Sequence, residues 1–572
     1  MPSNADNKLY NHKKSRAYRP AFFVVTGLWF ILLLGWLGGA LWLSFHHYNT
    51  ITLWVAQVLD KTQQIDTLRT QYFTPSLFIS FRILGWLLFA TWGLVYYWRH
   101  RGTLLLLRFW SLVKTTLAFS LQSFITCSLS QKIILIITLC GVLASRLYYA
   151  TVFPLQYDEA FTYIHLVHKG VWVSAIYYPG PNNHVFFSET AALLHLFLPT
   201  LVALRLPSIV AGLAVWYWVW QWLYTHTRFE WACLLATLGN FLSPISVYSV
   251  MGRGYSMQLL FILLAFRSML SINYQPQHRL VFIVSSVLGF YTVPTFLYPF
   301  AALVAYHSLK LWQQDKKLLK LWAIDLCIVT GLTCLLYSPI VLANGLDALV
   351  SNGWVKPLSL AAWRQQFPTY LADWGNTLFG DPWGQWLGFV YGFGVLLIFI
   401  FRRKAGKFAL FCVAIPVLII ALQRVLPPQR VWLWLWLPLA YTVALLLGKA
   451  MPRIKSYFIS TLLGGICLFF VVHTSCLFAQ MPSKSYPYIQ VAKKIASIPT
   501  LQKVFVQHDT YWIYLQYTGL HVAQEHSIDT KYKPQVKYDW LILKKPLGRK
   551  LPKRRYQVFL ENEQVVVYQR FE

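Results

Sequence analysis

Two acidic residues, Asp158 and Glu159, stand side by side in the stretch FPLQYDEAFTYIHLVHKG, directly after an apolar run. Carboxylates are scarce in this chain: 19 Asp and Glu against 50 Lys and Arg in 572 residues. A carboxylate at the edge of an apolar segment can bind a cation, relay a proton, balance an arginine or act as a base. Neighbouring side chains on a helix diverge by roughly 100°, so the two cannot face one reacting atom. One is expected to act, and the other to support it through an arginine or a backbone amide. The same pair also suits a plain helix N-terminus, where Asp is a good cap and carboxylates meet the positive end of the dipole.

A second stretch, YYPGPNNHVFFSET, turns at Pro179, Gly180 and Pro181 and presents Asn182, Asn183 and His184 just before an apolar helix. Two amides and an imidazole can bind sugar hydroxyls or a phosphate. Asparagine is equally ordinary in a turn. His165 and His168 are nearby, but such histidines are more often interfacial than metal ligands, and no metal is indicated. Three arginines sit beside Gly or Pro at the edges of apolar runs: Arg205 in ALRLPSIVAG, Arg253 in SVMGRGYSMQLL and Arg430 in LPPQRVWLWLWLP. A guanidinium fork matches phosphate oxygens, while snorkelling to lipid headgroups is the bland alternative. Their shared setting favours one anionic ligand, and Tyr255, two residues after Arg253, joins the expected binding set.

These residues are carried by a very apolar chain. Hydrophobic residues make up 57% of it and charged residues 12%, against about 25% charged in a soluble domain. The apolar runs are long and apolar on all faces, which implies helices rather than the short alternating strands of a barrel. The net charge of +31 is read as cytoplasmic loops and contact with lipid phosphates, not as nucleic-acid binding. The eight cysteines form no CxxC pair, so neither a zinc site nor a disulfide framework is suggested. The basic first twenty residues, with no small-residue cleavage site after them, read as preceding a retained span.

Hydropathy predicts about 13 transmembrane helices, near 21–45, 76–97, 132–152, 201–223, 231–248, 255–271, 280–294, 295–312, 321–342, 385–401, 408–425, 431–448 and 457–479. With this count the basic loops fall on one side, which the positive-inside rule makes cytoplasmic. Segments 46–75, 153–200, 249–254, 343–384 and 426–430 and the tail from Gln480 then lie outside. So do Asp158, Glu159, Glu189, Asp347, Asp373 and Asp381. In the loop 153–200, Phe161, Ile164 and Val167 recur at three-residue spacing, which predicts a short surface helix ended by Gly170. A second helix is predicted from about Val185 into the next span. In the tail, KVFVQHD and YDWLILKK read as strands, RYQVFLENEQVVVYQR as a hairpin turning at ENE, and SYPYIQVAKKIASI as a helix. The expected organisation is therefore 1–131, a tail with two added helices and a basic loop; 132–479, the membrane core; and 480–572, a small extracytoplasmic α/β domain.

Taken in order, Asp-Glu in the first large outer loop, NNH before the next helix, LRLPSIVAG and SPISVYSVMGRGYSMQLLF resemble the GT-C superfamily of integral-membrane glycosyltransferases. The nearest branch is that of protein O-mannosyltransferases and the lipid A aminoarabinose transferase. The resemblance covers residues 132–450 and implies an all-α polytopic membrane protein with a GT-C-like core. It also implies a polyprenyl-phosphate-linked sugar donor, an acidic residue in the first outer loop as the catalytic centre, and inversion at the anomeric carbon. The acceptor would be a lipid, a glycan or a protein, and the site would face the exterior of a bacterial plasma membrane. NNH departs from the Lys-Pro-Pro pattern of the aminoarabinose enzymes. The residues fit this chemistry on their own terms. A sugar phosphate leaves as a stable anion, so the reaction needs a base for the acceptor hydroxyl and cations for the phosphate. Asp158 is expected to be the base, with Glu159 supporting it, and Arg253 with Arg205 or Arg430 to be the cations, which could serve without a metal; a divalent metal stays open but is not indicated. A transporter or flippase for lipid-linked glycans would instead show a midplane ionisable site and related halves. Asp325 is the one acidic residue inside an expected span, and no internal repeat is visible. A glycan ligase or polymerase would use the same carriers with a larger donor.

Overall fold

The structure is a computed structural model that describes residues 19–58, 62–97, 114, 122–270, 275–350, 356–379, 384–401, 403–450, 464–465, 468, 472–476, 478–479, 482–522, 527–533, 535–545 and 555–571. Most of the expected span 457–479, most of the basic loop 98–114, and Asp381 lie outside the described residues. Every other expected span is helical. Among the described residues, five helical segments are long and apolar enough to cross a membrane: Leu129–Val152, Thr200–Tyr224, Lys316–Asn344, Gly406–Gln423 and Gln429–Leu447. The helices over the expected spans 21–45 and 76–97 run 27 and 23 residues, and several of the others are shorter or broken. The one expected at 231–248 breaks at Leu242, where Pro244 opens a new turn and cannot continue the old ladder.

The chain forms two compact units. One comprises Met1–Thr126, Gln275–Leu280 and Ser338–Leu346; the other holds the rest. In the first, α1 (Arg19–Phe45), α2 (Tyr48–Val58) and α3 (Pro75–Tyr97) pack together. Arg82 on α3 donates to the carbonyls of Leu43, Ser44 and His46, which a helix end leaves without intrahelical donors.

In the second unit, α4 (Leu129–Val152) starts in a capping box between Ser128 and Gln131 and stops just before Pro154. The loop 153–200 folds into α5 (Tyr157–Thr162), a π turn over Tyr163–Val167, α6 (Val171–Ile176) and α7 (Val185–His195). Gly170, at φ 95°, ends the first of these and enters α6. Helix α7 does not run on into the membrane segment as expected. The chain breaks before Pro199, and α8 (Thr200–Tyr224) starts anew. Then follow α9 (Phe229–Phe241), α10 (Ser243–Tyr248), α11 (Tyr255–Leu270), α12 (Pro276–Thr292), α13 (Leu297–Gln314) and α14 (Lys316–Asn344), of which the start of α12 up to Leu280 and the end of α14 from Ser338 belong to the first unit. The helical set closes with α15 (Leu360–Phe379), α16 (Gly384–Phe401), α17 (Arg403–Gln423), a 3-10 stretch over Gln429–Leu435 and α18 (Trp436–Ala450).

The C-terminal segment builds a five-stranded sheet with α19 (Pro482–Ala496) and α20 (Asp509–Val522). Its strands are β1 (Lys503–Val506), β2 (Ser527–Asp529), β3 (Trp540–Lys544), β4 (Tyr556–Glu561) and β5 (Val565–Arg570), in the order β2-β1-β3-β5-β4. β1 is parallel to β2 and β3, and β5 is antiparallel to β3 and β4. Alternate residues Val504, Val506, Trp540, Ile542, Val565 and Val567 point to one face and meet Val491 and Ile495 of α19. The hairpin at ENE and the α19 helix follow the sequence pattern. Helix α20 and the short β2 were not expected.

Candidate active site

Helix α5 places Asp158 and Glu159 in its first turn, and their directions diverge as helix geometry requires. Glu159 points inward and is fully buried. Its Oε1 accepts from Arg205 Nε (2.9 Å) and from the Gly252 amide (2.7 Å). Its Oε2 accepts from Arg205 Nη2 (2.9 Å) and from the Gln156 amide (2.9 Å). Arg205, on α8, also donates to the carbonyls of Ala150, Phe153 and Pro154 at the end of α4. All five of its N–H groups are then taken. Arg205 was expected to reach an anionic ligand; in the structure it is tied to Glu159 and to the main chain instead.

Asp158 faces the other way, with its side chain 26% exposed. Its Oδ2 lies 4.0 Å from Nη2 of Arg253 and 3.9 Å from Nη2 of Arg430. Both separations exceed hydrogen-bond length, so Asp158 stands between two guanidinium groups without being fixed by either. Arg253 is buried. Its Nη1 donates to Thr162 Oγ1 (3.0 Å) and to the Asn182 carbonyl (2.8 Å), and its buried Nε has no partner among the described residues. Arg430, in the 3-10 stretch, donates through Nε to the Tyr255 hydroxyl (2.6 Å). Tyr255 opens α11 and packs edge-on against His184, with ring centroids 4.7 Å apart.

The glycines flanking Arg253 explain how this cluster closes. A Cβ on Gly252 would come within 3.1 Å of Glu159 Oε1. One on Gly254 would lie 2.9 Å from His184 Cβ and 2.8 Å from Thr292 Cγ2. Both backbones therefore approach side chains of the 153–200 loop directly, and both amides donate to them.

His184 sits between these groups, fully buried. The Gly254 amide donates to Nδ1 at 2.8 Å, and Nε2 lies 3.1 Å from Arg253 Nη2. A neutral imidazole has one acceptor nitrogen. It can accept from the Gly254 amide at Nδ1 or from Arg253 Nη2 at Nε2, and the tautomer decides which. Burial first, then the charges of Arg253 and Arg430, hold the imidazolium form well below the usual histidine range. The ring is therefore neutral at pH 7, and the Arg253 and Arg430 guanidinium groups beside it offer donors suited to an anionic oxygen.

Not all expected site residues join this cluster. Asp158, His184, Arg253, Tyr255 and Arg430 come together. Asn183 was expected to bind substrate, but it is buried and its amide donates to the carbonyls of Ser174 and Tyr177, which ties α6 to the turn. Asn182 contributes its main-chain carbonyl to Arg253. Glu189 accepts from Tyr291 at 2.6 Å, and burial raises its pKa. Asp373 accepts from Gln429. His165 packs on Phe161 and Trp512, while His168 flanks the Tyr163 hydroxyl. Among the described residues no three His, Cys, Asp or Glu side chains converge as metal ligands would. Thr162, Gly252 and Gly254 were missed in the sequence. The doublet of glycines around one arginine was the available signal for the last two.

No family model and no curated protein matches the chain. A solved structure, that of ArnT from Cupriavidus metallidurans in the apo state, shares its architecture. The match has a TM-score of 0.52 and 14% identity, and covers 77% of this chain and 98% of that one. At that identity the likeness establishes the fold. The chain has the fold of that structure: a helical body, with five segments among the described residues long and apolar enough to cross a membrane, and a small C-terminal sheet domain.

Proposed function

We propose that this chain is a membrane glycosyltransferase that moves a sugar from a polyprenyl-phosphate donor to an acceptor hydroxyl at the outer face of a bacterial plasma membrane. Asp158 takes the proton from the acceptor hydroxyl. The acceptor oxygen attacks the anomeric carbon from the side opposite the phosphate, so the configuration inverts. The bond from that carbon to the phosphate oxygen breaks, and its electron pair leaves with the polyprenyl phosphate. Arg253 and Arg430 face the charge that builds on the leaving group, and His184 braces Arg253. Tyr255 orients Arg430. Glu159 and Arg205 hold the segment that leads into α5 and do not meet the substrate.

The observation that carries this reading is the placement of Asp158 Oδ2 about 4 Å from two arginine Nη2 atoms. A carboxylate there is partly exposed and unfixed, beside cations able to receive a phosphate. The ArnT-like fold supports it independently. The test uses protein in nanodiscs with a panel of labelled polyprenyl-phosphate sugars, including oligosaccharide donors. Asp158→Asn should lower turnover by about 10²–10⁴-fold, the usual contribution of a general base, with donor binding largely kept. Full activity in Asp158→Asn would remove it as the base, and transfer of oligosaccharides alone would recast the protein as a ligase.

A further inference from the structure

The segment carrying Asp158 is gripped from two directions. From within the membrane core, Arg205 holds the carbonyls of Phe153 and Pro154. From the C-terminal domain, the Tyr514 hydroxyl on α20 donates to the carbonyl of Leu155 at 2.5 Å, across 359 residues of sequence. The Leu155 side chain packs against the hydrophobic core of that domain, among whose residues are Tyr511, Tyr514 and Leu515. Asp158 follows three residues later. One turn along α20, Tyr517 meets Tyr163 edge-on, with ring centroids 5.4 Å apart, and Trp512 stacks on His165. The sheet domain is thus seated on the loop that presents the carboxylate, through α20.

We propose that the C-terminal domain is a cap that controls the site: α20, with Tyr514 and Tyr517 as positioning residues, sets the place of α5 and so of Asp158. Two electrostatic facts agree with this seating. Burial and then the carboxylates of Asp509 and Asp158 raise the Tyr157 hydroxyl. Burial, then Tyr163 and Glu159, push Tyr517 up to about 12. The consequence is coupling. If α20 fixes α5, then ligand binding at the arginine cluster must in turn tighten α20, because coupling between sites is reciprocal. A bound partner or envelope polymer that shifts this domain would then change the competence of the site. The cap rests on the glycosyltransferase reading only for what the site does, not for the contact itself.

Hydrogen exchange by mass spectrometry on the full chain in nanodiscs tests it, with decaprenyl phosphate as the probe. Tyr514→Phe keeps the ring stack on Tyr488 and removes the single hydroxyl. It should speed exchange across 157–167 by about three- to tenfold, the range of one hydrogen bond, and leave β1 and β3 unchanged. In the unsubstituted protein decaprenyl phosphate should slow exchange in α20 as well as in α5. In Tyr514→Phe the slowing of α20 should shrink. Tyr517→Leu, which keeps an apolar contact but loses the ring edge, should show the same pattern. Unchanged exchange at 157–167 in both variants would overturn the cap, as would slowing of α20 that is equal in all three proteins. Failure of decaprenyl phosphate to bind the unsubstituted protein would count against the donor reading instead, while the exchange of α5 in the variants would still decide the cap.

Discussion

Adjacent carboxylates in this molecule end in opposite surroundings. Glu159 is enclosed by four hydrogen bonds, two of them from one guanidinium, with no exposure. Asp158 is partly exposed and sits about 4 Å from two guanidinium groups without bonding to either. A buried carboxylate is tolerated only when its charge and lone pairs are met. Glu159 meets that condition completely and so has nothing left to offer a reactant. Asp158 keeps its lone pairs and its access. The difference separates a carboxylate that holds the loop from one that is available for reaction, although the two are neighbours in sequence.

The contrast is broken most directly by deleting charge on the closed side. Glu159→Gln leaves the Arg205 guanidinium buried without its counter-ion, which costs about 3–5 kcal/mol. Thermal unfolding in detergent should show a large drop for Glu159→Gln and almost none for Asp158→Asn, whose partly exposed pairs contribute at most about 1 kcal/mol. Equal drops in the two variants would erase the distinction. The junction between the two sides is sharpened by the glycines. Gly254→Ala forces a Cβ against His184 and Thr292 and should destabilise by about 1–3 kcal/mol, as overpacking does. It should also weaken anion binding by moving His184. Gly252→Ala meets a looser contact at Glu159 and Leu204, and a smaller loss is expected from the same melts. A larger loss at Gly252 would show that the closed side tolerates less than the distances indicate.

The smallest effect is in the pH dependence. The His184 pKa is depressed in the folded state, so the unfolded chain binds the proton more readily. That residue therefore withdraws no stability above its unfolded value near 6.5, and destabilises progressively as pH falls below it. Melting temperatures measured between about pH 5 and 8 should decline on the acid side, and His184→Gln should flatten that decline. An unchanged acid slope in the variant would mean that other groups set it.

Much of this architecture was readable from the chain. Long apolar runs specify membrane helices because no other local structure satisfies the backbone in lipid, and each run that the structure describes is a helix. The Asp-Glu pair, the NNH turn and the three arginines stood out because polar groups are rare in such a chain. Their roles were less legible. Arg205, Arg253 and Arg430 look alike in sequence, each beside Gly or Pro, yet only Arg253 and Arg430 reach Asp158. Asn183 and His184 are neighbours, yet one braces a turn and the other joins the cluster. Helix α20 escaped notice because DTYWIYLQYTGLHV mixes aromatic and polar residues without a clean apolar stripe.

Composition and hydropathy by themselves determined that the chain is a helical membrane protein, and spacing alone determined that Asp158 and Glu159 must point apart. Both follow from local rules, the bilayer's intolerance of unpaired backbone and the 3.6-residue turn. Which carboxylate would be closed and which left open was decided only by the fold. That choice depends on Arg205 and Gly252 arriving on one side of α5, and Arg253 and Arg430 on the other, from segments 46 to 272 residues away in sequence. No local pattern encodes such a meeting, because the desolvation that makes it necessary exists only once the helices have packed.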